Sequence, residues 1–310
     1  MIQKTSLLQG LILLVFCTLM INTSFAQQDP QYTQYMYNTM SINPAYAGQR
    51  EVLSVTGLHR SQWVGMDGAP QTQTLGIHAP LRNDRIGLGL SIVNDALGPV
   101  NEYYIDANFS YTIQVSDNNT ELSFGVKAGL HNLTSDWSEG VIQQLGDPTF
   151  ADNLSVFSPT AGAGLYLHNR KWYVGLSVPN FLKTEHFDDN QVSIAQERMS
   201  YYLIAGYVFN LSANTKFKPA ALLKAISGAP IIADLSANFL FNDKLTLGVA
   251  YRWDDSISGL LGFQVTDGLY LGYSYDATTT ELNNYNSGSH EIMLRFELQK
   301  VGRILSPRFF

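Results

Sequence analysis

Apolar residues recur at every second position along much of this chain. From Leu245 to Trp253 the series is Leu245, Leu247, Val249, Tyr251 and Trp253, with Thr246, Gly248, Ala250 and Arg252 between them. Alternation at period two marks a strand with two unlike faces. The next run, Ser258–Thr266, ends in Asp267-Gly268, a strong hairpin signal. Leu269, Leu271, Tyr273 and Tyr275 then alternate against Tyr270, Gly272, Ser274 and Asp276. A soluble sandwich would also alternate, with its apolar face in a core. Here the second face is mostly Gly, Ala, Ser and Thr with single charges, and aromatic residues gather at the strand ends. Strands of about 9–11 residues with that character fit a bilayer-spanning barrel.

The same pattern predicts strands near Val52–His59, Thr72–Leu81, Arg85–Val93, Glu102–Val115, Thr120–His131, Ser158–His168, Lys171–Val178, Arg198–Leu211, Thr215–Ala225, Ile231–Asn242 and His290–Gln299. With the three above, the expected fold is all-β, a closed antiparallel transmembrane barrel of about fourteen strands, an even number as bacterial barrels require. The connections agree. Asn83-Asp84, Asp117–Asn119, Asn169-Arg170, Ser212–Asn214, Asn242-Asp243 and Asp267-Gly268 are tight turns after even-numbered strands. Arg60–Gln71, Asn132–Phe157, Phe181–Glu197 and Ala277–Ser289 are longer links after odd-numbered ones. Strict alternation of short and long connections is the outer-membrane pattern, short side periplasmic. An even count then puts both termini in the periplasm.

The faces follow from the same register. Leu247, Val249 and Tyr251 are assigned to lipid, and Arg252 and Lys127 to the lumen. In Glu102–Val115 the odd positions from Tyr103 are lipid candidates, and Glu102, Tyr104, Asp106, Asn108, Ser110, Thr112 and Gln114 oppose them.

The segment 27–50 breaks the pattern. Asp29 is a candidate N-cap and Pro30 suits the first helical position. Tyr32, Tyr35, Met36 and Met40 recur at helical spacing, and Asn43-Pro44 stops the run. This predicts a short amphipathic helix ending in a turn at Pro44–Gly48, docked against the lower lumen or against a periplasmic partner. Ahead of it, Lys4, the apolar run Leu11–Met20 and Ser24-Phe25-Ala26 read as a signal peptide over residues 1–26, cleaved before Gln27. A lipoprotein leader is the rival, but Phe16 precedes Cys17 where a small residue is needed. The single cysteine then leaves with the leader, as suits an exported chain without disulfides. Residues 51–310 are the barrel.

Composition narrows the function classes. Charged residues make up only 15% of the chain, well below the usual quarter. No mature segment offers about 18 consecutive apolar residues, so membrane-spanning helices are not expected. A net charge of −7 argues against a nucleic-acid binder. The six histidines lack metal-ligand spacing. Gly89-Leu90-Ser91 and Gly175-Leu176-Ser177 start like a nucleophile elbow but lack its second glycine. No enzyme activity, catalytic residue, cofactor or metal is assigned. The acidic pairs Asp188-Asp189 and Asp254-Asp255, with Asp136, Glu139, Asp147 and Asp152, give an acidic outer rim, read as a solvated loop surface or as calcium ligands. Trp137 and Phe150 are contact anchors or fold back into the barrel mouth.

The opening "DPQYTQYMYNTMSINPAYAG" closely resembles the start of mature PorP/SprF-family outer-membrane proteins of Bacteroidetes. Gln31-Tyr32-x-Gln34-Tyr35 and Asn43-Pro44-Ala45-Tyr46-Ala47-Gly48 carry most of the match. Arg60-Ser61-Gln62-Trp63, Ala69-Pro70 and the closing Ser306-Pro307-Arg308-Phe309-Phe310 extend it. The resemblance implies a non-enzymatic barrel that supports type IX secretion or surface retention of an adhesin-like cargo, in some members linked to gliding motility. It implies the cargo and other secretion components as partners. The candidate partner or plug motif is Asp29, Pro30, Gln31, Tyr32, Gln34, Tyr35, Asn43, Pro44, Tyr46 and Gly48. The alternative is a diffusion or uptake channel like the fatty-acid transporters, which also pair a barrel with an N-terminal plug.

Overall fold

The computed structural model describes residues 30–298 except 83, 118, 138–152, 183–184, 188–192, 197–198 and 227. Asp29, Phe150, Asp188-Asp189, Glu139, Asp147, Asp152, the leader and the closing Ser306–Phe310 therefore lie outside the described residues.

Fourteen antiparallel strands close into a ring, each beside its neighbour in sequence. They are β1 (Ser54–Ser61), β2 (Gln71–Pro80), β3 (Ile86–Leu97), β4 (Val100–Ser116), β5 (Thr120–Ser135), β6 (Leu154–His168) and β7 (Trp172–Val178). The second half is β8 (Ser200–Tyr207, continued by Phe209–Asn210), β9 (Thr215–Ile226), β10 (Ile232–Phe241), β11 (Leu245–Arg252), β12 (Ser256–Thr266), β13 (Leu269–Thr278) and β14 (Ser289–Glu297). The β1–β14 ladder, from Ser54 opposite Glu297 to Ser61 opposite His290, closes the ring. Closure leaves no sheet edge against lipid, where an unpaired backbone group would find no water. A short hairpin, Glu185–Phe187 with Ser193–Gln196, stands outside the ring.

Alternation sorts the two faces as the sequence implies. Leu247, Val249 and Tyr251 are exposed on the outer surface, and Arg252 is buried inside. On β14, Ile292, Leu294 and Phe296 face out while Glu291, Met293, Arg295 and Glu297 are buried. The outward face of β4 runs from Tyr103 through Ile105, Ala107, Phe109, Tyr111 and Ile113 to Val115 without a charge. At about 3.3 Å per residue and a tilt of roughly 40° this covers about 30 Å along the membrane normal, the thickness of the hydrocarbon core.

Two expectations change. Connections do not alternate strictly in length. β3 and β4 run past their expected ends and are joined by Gly98-Pro99 alone, and only Trp253–Asp255 separates β11 from β12. The extra length carries Asn94, Asp95 and Asn101, which hide it from an alternation pattern. The expected N-terminal helix is also absent. Residues 32–50 make a string of turns with two single 3-10 turns, Thr39–Ser41 and Pro44–Tyr46. An amphipathic helix needs one wet face. Here every residue from Tyr32 to Arg50 except Ser41 is buried, because the segment runs inside the barrel.

Candidate functional site

Among the described residues, polar side chains converge in the lumen, and the segment Tyr32–Arg50 fills it. Its upper end is held near the rim that carries the long 61–71 and 278–289 connections. The Glu291 carboxylate accepts the backbone N–H groups of Thr33 (3.0 Å) and Gln34 (2.9 Å). The Thr33 hydroxyl donates to Asp276 (2.8 and 2.9 Å to its two oxygens). Arg60 bridges both acids, 2.7 Å from Asp276 and 3.3 Å from Glu291. All of these groups are buried, so each carboxylate depends on its partners rather than on water.

The lower end is held at the short-turn rim. Arg50 pairs with Glu297, which also lies 3.4 Å from Arg295. Gln49 donates to Thr112 (3.0 Å) and Ser123 (2.8 Å), and the Gly48 N–H donates to His78 Nδ1 (3.0 Å).

Between the ends, aromatic rings and close backbone approach fix the segment. Tyr37 lies between the Lys218 ammonium, 4.5 Å from its ring centre, and the Tyr270 ring at 5.8 Å. The Arg295 guanidinium covers Tyr270 at 4.6 Å. Tyr46 meets the edges of His78 (5.7 Å) and Tyr166 (5.5 Å). Asn43 caps the second 3-10 turn by accepting the Ala45 N–H and donates to the Leu165 carbonyl (3.0 Å). Ser110 and Ser177 donate to the carbonyls of Ala47 and Ile42 (2.7 Å each). The wall is glycine where the segment presses on it: a Cβ at Gly125 on β5 would collide with the backbone of Ala45, and one at Gly87 on β3 with Ala47.

The structure thus brings Tyr32, Gln34, Tyr35, Asn43, Pro44, Tyr46 and Gly48 of the motif into one luminal plug, with Pro30 and Gln31 half-buried at its upper end. Docking against the barrel's own lumen is the outcome, and it spans the lumen rather than its lower part. The described chain accordingly starts near the long-loop rim and ends, at Leu298, by the short-turn rim. Its described ends do not share a rim; the termini, both expected in the periplasm, lie outside the described residues.

The wall partners Arg60, Asp276, Glu291 and Glu297, and Thr33 and Arg50 of the plug, were not singled out as partners by the sequence. The available signal was charge at inward positions of β13 and β14. His131 and His168 line the lumen beside Glu102 (3.0 Å) and Glu121 (3.8 Å), whereas His59 faces outward. Of the acidic rim, Asp255 is held by Arg252 at 3.0 Å, and among the described residues no three His, Cys, Asp or Glu groups gather as metal ligands.

A closed, lipid-belted ring around an internal stopper defines a plugged outer-membrane β-barrel. The CymD monoaromatic hydrocarbon channel shares this fold at 13% identity (TM-score 0.52, covering 86% of this chain and 94% of that one). So does the Ralstonia pickettii toluene transporter TbuX at 11% identity (TM-score 0.51, 85% and 93%). No curated protein sequence matches the chain. Residues 24–296 match the family described as type IX secretion system membrane protein PorP/SprF, and the chain belongs to that family.

Proposed function

We propose that this outer-membrane barrel is non-enzymatic and serves type IX secretion by holding a secreted, adhesin-like protein at the cell surface, without carrying cargo or solute through its own lumen. The observation that supports this is the occupied lumen. A segment clamped by Glu291, Asp276 and Arg60 at one end and by Glu297 at the other leaves the wall serving as a scaffold rather than a conduit. Likeness to hydrocarbon channels at such low identity brings the fold and not the transport. The surface protein held here is gliding-related where the cell glides. Long loops outside and short turns in the periplasm orient the scaffold toward that protein.

The test compares cells lacking the protein with cells carrying a Gln31–Met40 deletion. Both should release the cognate surface protein into the medium, and the deleted form should stay in the outer membrane because no strand residue is removed. Unchanged surface retention together with impaired solute uptake would overturn the reading in favour of a channel.

A further inference from the structure

Among the described residues the ring has one step in its wall. The β4–β5 and β5–β6 ladders run up to Val100 opposite Ser135 and Ser135 opposite Leu154, but the β6–β7 ladder stops at Ala163 opposite Val178. β6 therefore rises nine residues, Leu154–Gly162, above its neighbour. At the base of the step Ala161 is satisfied: its N–H donates to Asn180 Oδ1 (3.2 Å) and its carbonyl accepts the Phe181 N–H (2.8 Å). Residues two apart on a strand point their backbone groups the same way. The carbonyls of Ser155, Phe157 and Pro159 and the N–H groups of Ser155 and Phe157 thus face the open side. Among the described residues nothing pairs with them, and all three residues are exposed, Phe157 at 73%. The even-numbered residues face β5 and hold the strand in place.

We propose that this open edge, Ser155–Pro159, docks an extended segment of a secreted polypeptide by strand addition, resting on the reading that the protein serves secretion at the cell surface. Main-chain donors and acceptors in a row select an extended backbone, and Phe157 selects an apolar side chain beside it on the outer face. The edge stands on the long-loop side: Ser155 is in register with Thr134 and Asn101, and Phe157 with Asn132 and Tyr103, so its upper part lies where the lipid-facing run of β4 gives way to polar residues and is reached from water. A second copy does not fit. Two identical edges pair only antiparallel, about a two-fold axis along the sheet normal, and in a barrel wall that axis lies in the membrane plane and turns one copy upside down. Pro159 removes one donor and keeps the addition short, as prolines on edges do.

The test places a photo-crosslinking amino acid at Ser155 of the full-length protein in secreting cells and identifies the adduct by mass. An adduct with an exported polypeptide is expected. Phe157→Pro removes an edge donor without touching the bonds to β5, and should cut the yield at least tenfold, whereas Phe157→Ala should keep it. Pro159→Ala restores a donor and should raise it. Heat-modifiable migration checks that each variant is folded, and Ser155→Pro, with the crosslinker moved to Phe157, stands in if Phe157→Pro is not. Equal yields from the Pro and Ala variants, an adduct with the chain's own 185–196 hairpin or with a second copy, or no adduct in secreting cells would overturn the proposal. Normal surface retention by Phe157→Pro, in a background where removing the whole protein abolishes retention, would sink the edge and leave the secretion reading standing.

Discussion

Replacing Glu291 with Ala should release the upper end of the plug while leaving the barrel closed. The side chain accepts two consecutive backbone N–H groups and one arm of Arg60. Breaking a buried ion pair costs about 3–5 kcal/mol when the remaining charge is stranded. Arg60 is not stranded, because Asp276 stays 2.7 Å away, and Asp276 also keeps the Thr33 hydroxyl. The lower figure therefore applies, and about 3 kcal/mol is roughly a hundredfold in the opening equilibrium. Amide hydrogen exchange on the folded protein in lipid reads this directly, since protection reports local opening. Thr33 and Gln34 should exchange about a hundred times faster. The strand amides of β13 and β14 and the Ala45 and Ala47 amides should hardly change. Glu291→Gln, which retains one acceptor oxygen in place, should fall between. Unchanged exchange at Thr33 and Gln34 would refute the clamp, and equal acceleration along the whole plug would show that the ends are not held separately.

Arg50→Ala should loosen the opposite end, raising exchange at Gln49–Glu51 and not at Thr33. Gly125→Val places branched methyl carbons where the Pro44–Ala45 backbone lies, so the plug must leave its seat; protease cleavage within 31–50 and new conductance in planar bilayers should both appear. Val249→Arg puts a charge against hydrocarbon at mid-strand and should lower the unfolding free energy by about 2–4 kcal/mol in a denaturant titration in lipid. Ser123→Ala, on the inner face, removes an acceptor of Gln49 and should cost only about 1 kcal/mol in the same titration.

The strands were legible because a barrel wall has lipid on one side and polar groups on the other, so the period-two signal repeats in every stave. It failed where that contrast ends. Above the lipid, β3 and β4 are wet on both faces, and Asn94, Asp95 and Asn101 look like loop. The plug departs from the expected helix for a related reason. Tyr32, Tyr35, Met36 and Met40 do recur at helical spacing, but a chain of turns buried on all sides gives the same spacing without a wet face. Only the wall shows that Gln34 and Asn38, which a helix would have left in water, and Asn43 beyond it each meet a different stave (β14, β2 and β6).

The clamps also explain why the plug has a single seat. At its upper end it brings no charge, only donors, to a wall whose acids Asp276 and Glu291 outnumber Arg60. At its lower end it brings one guanidinium to Glu297. A one-residue slip would take the Thr33 hydroxyl off Asp276 and move Arg50 off its carboxylate, leaving the guanidinium without its partner at the lower end. Apolar contacts at Tyr37 and Met40 would tolerate such a slip far better, because dispersion is not directional. Buried polar groups are retained elsewhere for registry at some expense in stability. In this lumen they set the plug against the wall residue by residue.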